Sequence, residues 1–370
     1  MKTFQHLCLP FIAAAFLWTA EKADAQETFA PLLTKDTTLF VHVDAGKVDI
    51  DTAKAEAKKL GETLLKTLGF DAQSQRLTLR DLDVELEKWD TLIRPAFELI
   101  TKELGIQENA WIADDTLLEQ GIYFVVAAPW KGKTDADLQK LFSVMPEDEY
   151  REAYLPVGGF LFVAFPDFNQ FSRGKKLEIE KQILTEWVKN AAADNSSLVL
   201  QALKSLPKND EIKAVVTVPK SLIEEVSRGM GPPENVPIQV RNLLLFTINK
   251  MEWAAASVPV SEILSGAETK EWRVTTVKMP SNADAKMLRE MIESAVDGII
   301  DAARQEGADA PPLLFEFARG FVRTWLPAVE GDTLIFQWKG SKTDAAFVGS
   351  AYGISILSFW YMRMMENGKW

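Results

Sequence analysis

Two kinds of apolar patterning alternate along the chain. Thr38 to Asp44 and Ile212 to Val218 alternate in hydrophobicity and are rich in β-branched residues, which predicts strands with one buried face. Gly121 to Pro129, Phe160 to Phe165, Glu271 to Pro280 and Thr333 to Lys339 read as further strands. Between Gly46 and Gly105 the leucines at Leu60, Leu64, Leu65 and Leu68 fall at helical spacing and predict long helices with one apolar stripe. Another helix is predicted from about Lys175 to Lys204, carrying the chain towards its second half.

The two halves share order and punctuation. The strand ending at Pro129 is followed by Thr134-Asp135-Ala136-Asp137, and the strand ending at Pro280 by Ser281-Asn282-Ala283-Asp284. A hydroxyl with an acid three residues later resembles a capping box: the hydroxyl takes an orphan amide of the first turn, and the acid faces the positive end of the helix. Downstream, Leu155-Pro156-Val157-Gly158-Gly159 parallels Leu326-Pro327-Ala328-Val329-Glu330-Gly331, each leading into a strand. Upstream, Asn109-Ala110-Trp111-Ile112-Ala113 parallels Met251-Glu252-Trp253-Ala254-Ala255, and Thr38 to Asp44 parallels Ile212 to Val218. These matches predict a duplication. The order strand, helix, strand, strand, helix, strand in each half implies an α+β protein of two tandem ferredoxin-like (β-α-β-β-α-β) units, with antiparallel sheets covered by helices. Residues 26–207 form the first unit and 208–342 the second, divided at the polar, proline-bearing link Leu206-Pro207-Lys208-Asn209-Asp210.

Both ends read differently from the middle. Met1 and Lys2 open a short positive region, an apolar run extends from Leu7 to Trp18, and Ala23-Asp24-Ala25 offers a cleavage site, so 1–25 reads as a signal peptide and Gln26 as the mature start. The apolar run is too short for a hydrocarbon core, which needs about 20 residues. At the other end, Ala345 to Met362 are 18 uncharged residues, with Gly349 and Gly353 on one ridge. The segment 343–370 is therefore predicted as an apolar helix, packed on the second unit or at an interface, with membrane contact through 345–362 as its alternative.

The Leu39-Phe40-Val41-His42-Val43-Asp44 strand soon after the cleavage site, and the late Leu326-Pro327-Ala328-Val329-Glu330-Gly331-Asp332-Thr333 strand, give the chain a resemblance to uncharacterised exported proteins of planctomycete-type bacteria. The resemblance spans most of the mature chain. It implies export and a structural framework, and it carries over no activity, ligand or catalytic residue.

Composition narrows the chemistry. The chain has 370 residues and a net charge of -12, which argues against nucleic acid as a partner. Its one cysteine, Cys8, and one of its two histidines, His6, fall in the signal peptide, so the mature chain keeps only His42 and no thiol. That excludes disulfides, thiol nucleophiles, His-rich zinc sites and the H-E-x-x-H helix. His42 and Asp44 share a strand face about 7 Å apart, but without a nucleophile they read as ordinary strand positions. Ser172 to Lys175 and Ser205 to Lys208 satisfy Ser-x-x-Lys without companion motifs. Asp49-Ile50-Asp51 and Asp81-Leu82-Asp83 lack the Gly and Glu of a calcium loop, and Arg228-Gly229-Met230-Gly231 runs into Pro232-Pro233, which bars a phosphate-binding helix start. Acid pairs such as Glu147 and Glu149 are too common to point anywhere. Trp111, Trp253, Trp272 and Trp338 fall in predicted strands, whereas Trp89, Trp130, Trp187 and Trp370 are the tryptophans whose exposure would matter for sugar binding.

No catalytic, cofactor-binding or metal-binding residue set emerges. The chain reads as an exported, non-enzymatic binding or structural protein of the cell envelope, in the periplasm or outside the cell, with a protein or saccharide as partner. The alternative is an envelope hydrolase using a carboxylate pair on a carbohydrate, which needs two acids across an aromatic-walled cleft.

Overall fold

A computed structural model describes residues 25–44, 72–88, 94–143, 154–166, 176–191, 196–228, 238–259, 272–305 and 326–338, with scattered helical residues between 50 and 62 and at 90–91. Residues 1–24 of the segment read above as a signal peptide, the Leu60 to Leu68 stripe, Ser172 to Lys175, Glu147 to Glu149, the Gly229 to Pro233 run, Trp89, Trp370 and the segment 343–370 lie outside the described residues. Among the described residues, no helix is long and apolar enough to cross a membrane.

The first half opens with a short helix α1 (Ala25–Phe29), a 3-10 turn (Ala30–Leu32) and strand β1 (Thr37–Asp44). Helices α2 (Ala72–Lys88) and α3 (Arg94–Glu98), then a π-turn (Leu99–Glu103), lead to β2 (Glu108–Asp114). A one-turn helix α4 (Asp115–Glu119), β3 (Ile122–Pro129), α5 (Asp135–Ser143), β4 (Tyr154–Val157), β5 (Phe160–Pro166), α6 (Lys176–Ala191) and α7 (Leu198–Ser205) complete it. The second half runs β6 (Ile212–Val216), α8 (Lys220–Ser227), α9 (Ile238–Lys250), β7 (Trp253–Val258), β8 (Trp272–Lys278), α10 (Asn282–Gln305), β9 (Ala328–Glu330) and β10 (Thr333–Trp338).

The α+β class holds, but the strands form one sheet. Its order is β4-β5-β3-β2-β1-β6-β7-β8-β10-β9, and every neighbouring pair is antiparallel. This departs from a ferredoxin-like unit, in which two parallel strands joined by a helix flank a third. Here β1 and β2, joined by helices, are direct antiparallel neighbours, with Phe40 opposite Ile112 and His42 opposite Ala110. The physical reason for one sheet lies in the edges. In two separate sheets of this order β1 and β6 would each expose a row of unpaired amides and carbonyls; pairing Leu39 with Val216 through Val43 with Ile212 removes both edges. The remaining edges, β4 and β9, are only 4 and 3 residues long, and β4 contains Pro156.

Strand alternation places cores on both faces. On one face, Phe40, Ala110, Ile112, Val125, Ala127, Phe160 and Phe162 share a buried cluster with Val215, Trp253 and Ala255 of the second half. Phe29, Leu32 and Leu33, with Leu184 and Trp187 of α6 and Val199, Ala202 and Leu203 of α7, cover that face. Ala128 and Leu161, one step along the strand from Ala127 and Phe162, point the other way, into a separate cluster with Trp130 and Leu141 of α5. Also on that opposite face, Val277, Met279 and Leu334 pack on Ala285 and Leu288 of α10.

Local signals in the sequence are realised closely. Asp137 accepts from the Thr134 amide and hydroxyl, both at 2.9 Å, and the Asp137 amide donates back to the Thr134 hydroxyl at 3.4 Å. The Ser281 hydroxyl donates to Asp284 at 2.5 Å and accepts from the Asp284 amide at 3.1 Å. Gly158 and Gly159 turn the β4–β5 hairpin at φ of 60° and 86°, the two-residue turn that requires left-handed backbone at both positions. A Cβ on Gly158 would also lie 2.7 Å from Val188. Gly331, at φ 63°, does the same service for β9–β10.

Candidate functional site

His42 lies in the middle of the sheet, and its surroundings answer the question the strand pattern raised. The imidazole side chain is 2% exposed. Phe40, two residues back on the same face, stacks near it with ring centres 6.5 Å apart, and Phe29 of α1 meets it edge-on at 5.8 Å. The acid that reaches it is Glu108 rather than Asp44: His42 Nε2 is 3.0 Å from Glu108 Oε2. The other carboxylate oxygen accepts from Thr28 Oγ at 2.7 Å. Two residues on one strand face remain a full repeat apart, whereas β1 and β2 bring Glu108 beside His42 across a ladder. Antiparallel register also puts Lys213 opposite His42 and Ser257 opposite Lys213. A row of buried polar residues therefore crosses the seam between the halves: Lys213 donates to the Lys208 carbonyl at 3.0 Å, and Ser257 bonds Asp210. His42 Nδ1 is buried without a hydrogen-bond partner. This cluster has an imidazole and a carboxylate in contact, but they are enclosed beneath Phe29 and Thr28 in the protein core.

The other end of β1 carries a second polar cluster. Asp114, 1% exposed, accepts from Thr34 Oγ at 2.6 Å, from Thr37 Oγ at 3.2 Å and from the Thr116 amide at 3.0 Å, the last capping α4. Next to it, Asp36 bonds the Lys220 ammonium at the start of α8, and Asp115 accepts the Lys220 amide at 3.0 Å. Burial pushes the Asp115 carboxyl above the usual carboxylate range, against the pull of that amide, while the hydrogen bond it donates to Asp36 holds the Lys220 ammonium above the ordinary lysine value. Lys220 thus ties the second half to two acids of the first.

A cleft of ≈ 260 Å³ opens beside this cluster, lined among others by Lys35, Asp36, Gln120, Glu186, Trp187 and Asn190. It brings Asp36 of the β1 approach next to α6, a proximity with no sequence signal, since the two segments are some 150 residues apart along the chain. Of the tryptophans singled out above, Trp187 lines this cleft at 3% exposure and Trp130 is buried at 6%.

The remaining sequence candidates are engaged elsewhere. Ser205 donates to the Ala202 carbonyl at 2.7 Å, ending α7, so it is not poised towards Lys208. Asp51 is bound by Arg94 at 2.5 Å and Asp83 by Lys58 at 2.8 Å, which explains these aspartates as ion-pair partners. Among the described residues, no group of three or more His, Cys, Asp or Glu side chains is arranged to hold a metal ion. No protein-family model, no curated protein and no solved structure matches this chain.

Proposed function

We propose that the chain is an exported, non-enzymatic protein of the cell envelope that acts by binding. The observation that carries this reading is the placement of His42. The single imidazole outside the signal peptide is enclosed by Phe29, Phe40 and Glu108 at 2% exposure, and it contributes to core order instead of proton transfer at a surface. A general acid or base has to come within hydrogen-bond reach of its substrate, and this position is closed to one.

The framework is read as a duplicated module. Support comes from the strand order, which runs outward from the β1–β6 seam as first, second, third, fifth, fourth strand in both directions. Further support comes from the paired capping boxes and the paired glycine hairpins. Ala128 and Met279, each one residue before its stop proline, also face the same side of the sheet. Trp111 and Trp253 do not fit as equivalents. Trp253 is buried in the shared core, while Trp111 faces the opposite side and stacks on Phe124 at 6.0 Å. Any equivalence of β2 with β7 is therefore offset by a residue from the one the tryptophans suggest.

The hydrolase alternative draws on one observation: Asp36 and Glu186 line the same cleft with Trp187. Lys220 on Asp36 weighs against its use as a free acid or nucleophile. Expression in a bacterium with an export pathway tests the reading. The expected results are a processed chain beginning at Gln26 in the exported fraction, and no release of reducing ends from chitin, cellulose or peptidoglycan. Unprocessed cytoplasmic protein would overturn export; turnover abolished by Glu186→Gln would establish the hydrolase instead.

A further inference from the structure

We propose that the outer side of α2 is a self-association surface, on which α2 of a second copy of this chain docks antiparallel. The inference goes beyond the binding role above and does not depend on it. Helix α2 is apolar on two sides. At about 3.6 residues per turn, Leu79, Leu82 and Leu86 fall on one stripe, and Leu77 and Val84 on the opposite one. The first stripe faces inward: Leu86 is buried, Leu79 and Leu82 are half-buried, and Asp83 beside them pairs with Lys58 at 2.8 Å. The second is open, with Leu77 56% and Val84 46% exposed. Among the described residues, the other exposed large apolar side chains stand singly, on α6, α8, α9 and α10. Single apolar residues at a surface need no partner, whereas an aligned pair two turns apart on one helix is a contact stripe.

Charge identifies what covers it. Residues 72–80 carry Arg76 and Arg80 and no acid, while 81–88 carry Asp81, Asp83, Glu85 and Glu87 against Lys88. This order runs against the helix dipole, which favours acids in the first turn and bases in the last. A second α2 laid antiparallel answers the mismatch, because the two dipoles then oppose and each basic half lies along the other copy's acidic half.

The register follows from the stripe. Setting Leu77 against Val84 of the second copy, and Val84 against its Leu77, puts Arg76 two residues along from the other copy's Glu87, about 3 Å on the helix axis. Arg76, Arg80 and Glu87 lie on one flank of the stripe, and a two-fold axis between antiparallel helices brings like flanks together. All three side chains are exposed and make no hydrogen bond or ion pair among the described residues, so both signs are free to pair between copies. Two helices about 26 Å long that touch along one stripe bury less than the roughly 1,200 Å² of a stable interface, so the pairing is weak and concentration-dependent.

The test is sedimentation velocity of the purified protein from about 10 μM to about 1 mM, where a monomer–dimer equilibrium with a Kd of about 0.1 mM is expected. Leu77→Ser combined with Val84→Ser should leave a monomer with an unchanged melting temperature, since both positions are exposed. Arg76→Glu combined with Arg80→Glu, and separately Glu87→Lys, should each weaken dimerisation by about tenfold, and an equimolar mixture of these two variants should restore it. A monomer at every concentration, which would leave the stripe to a different protein, would overturn the proposal. So would a dimer that persists in the Leu77 and Val84 variant, or a charge-reversed mixture no tighter than its components.

Discussion

The two faces of the sheet join the halves in different ways. On the face covered by α1, α6 and α7, one buried cluster runs from Phe160 and Phe162 across the β1–β6 seam to Trp253 and Ala255. On the opposite face the described residues form two clusters, one under α5 around Ala128 and Leu161, the other under α10 around Val277 and Met279. Among the described residues, the first face gives β1 to β7 one continuous core across the seam, while the second keeps a separate core for each half. The comparison teaches that a repeated strand-and-helix pattern can retain local independence on one side of a sheet and lose it on the other.

The largest effect is expected at the seam. Phe40→Ala removes a fully buried ring from the shared cluster and should cost roughly 3–5 kcal/mol. Native-state hydrogen exchange should then show β3 and β7 losing protection together; loss confined to one half would break the comparison. Leu288→Ala, in the core under α10, should cost roughly 2–5 kcal/mol, with exchange accelerated in β8 and β10 and little changed in β3 and β5. Glu108→Ala strands both the His42 imidazole and the Thr28 hydroxyl next to the seam. Denaturant titration should register a loss of roughly 1–3 kcal/mol, the cost of leaving buried polar groups unsatisfied.

Smaller effects are expected at the helix starts. Thr134→Ala and Ser281→Ala should each cost about 1 kcal/mol, the usual loss on deleting a capping side chain, and similar losses in the two variants would sharpen the likeness of α5 and α10. The Thr134 amide and hydroxyl hold Asp137 below the usual carboxylate range, and the Ser281 hydroxyl does the same to Asp284. A carboxyl depressed in the folded state adds stability that is present above its unfolded pKa, about 3.9 for aspartate, and is lost as pH falls through the folded value. Acid unfolding below about pH 4 should therefore flatten when Asp137→Asn and Asp284→Asn are combined. Asp115 is shifted up by burial, so its sign is opposite: its contribution fades as pH rises, and Asp115→Asn should shift the melting temperature at pH 7 slightly upward.

Sequence alone determined the features whose causes lie within a few residues. The capping of α5 and α10 needs only a hydroxyl and an acid three positions apart; the hairpin turns need glycines where the backbone is left-handed; and the sharing of one side of β1 by Phe40 and His42 follows from the two-residue period of a strand, whereas the burial of His42 came from the elements packed over it. Glu108 as the partner of His42 was not legible, because the two are 66 residues apart and meet only through the β1–β2 register. The cleft at Trp187 was hidden for the same reason: its walls come from the approach to β1, from α4 and from α6. The tertiary structure likewise decided that ten strands make one sheet, since the drive to pair the exposed edges of β1 and β6 belongs to no local segment.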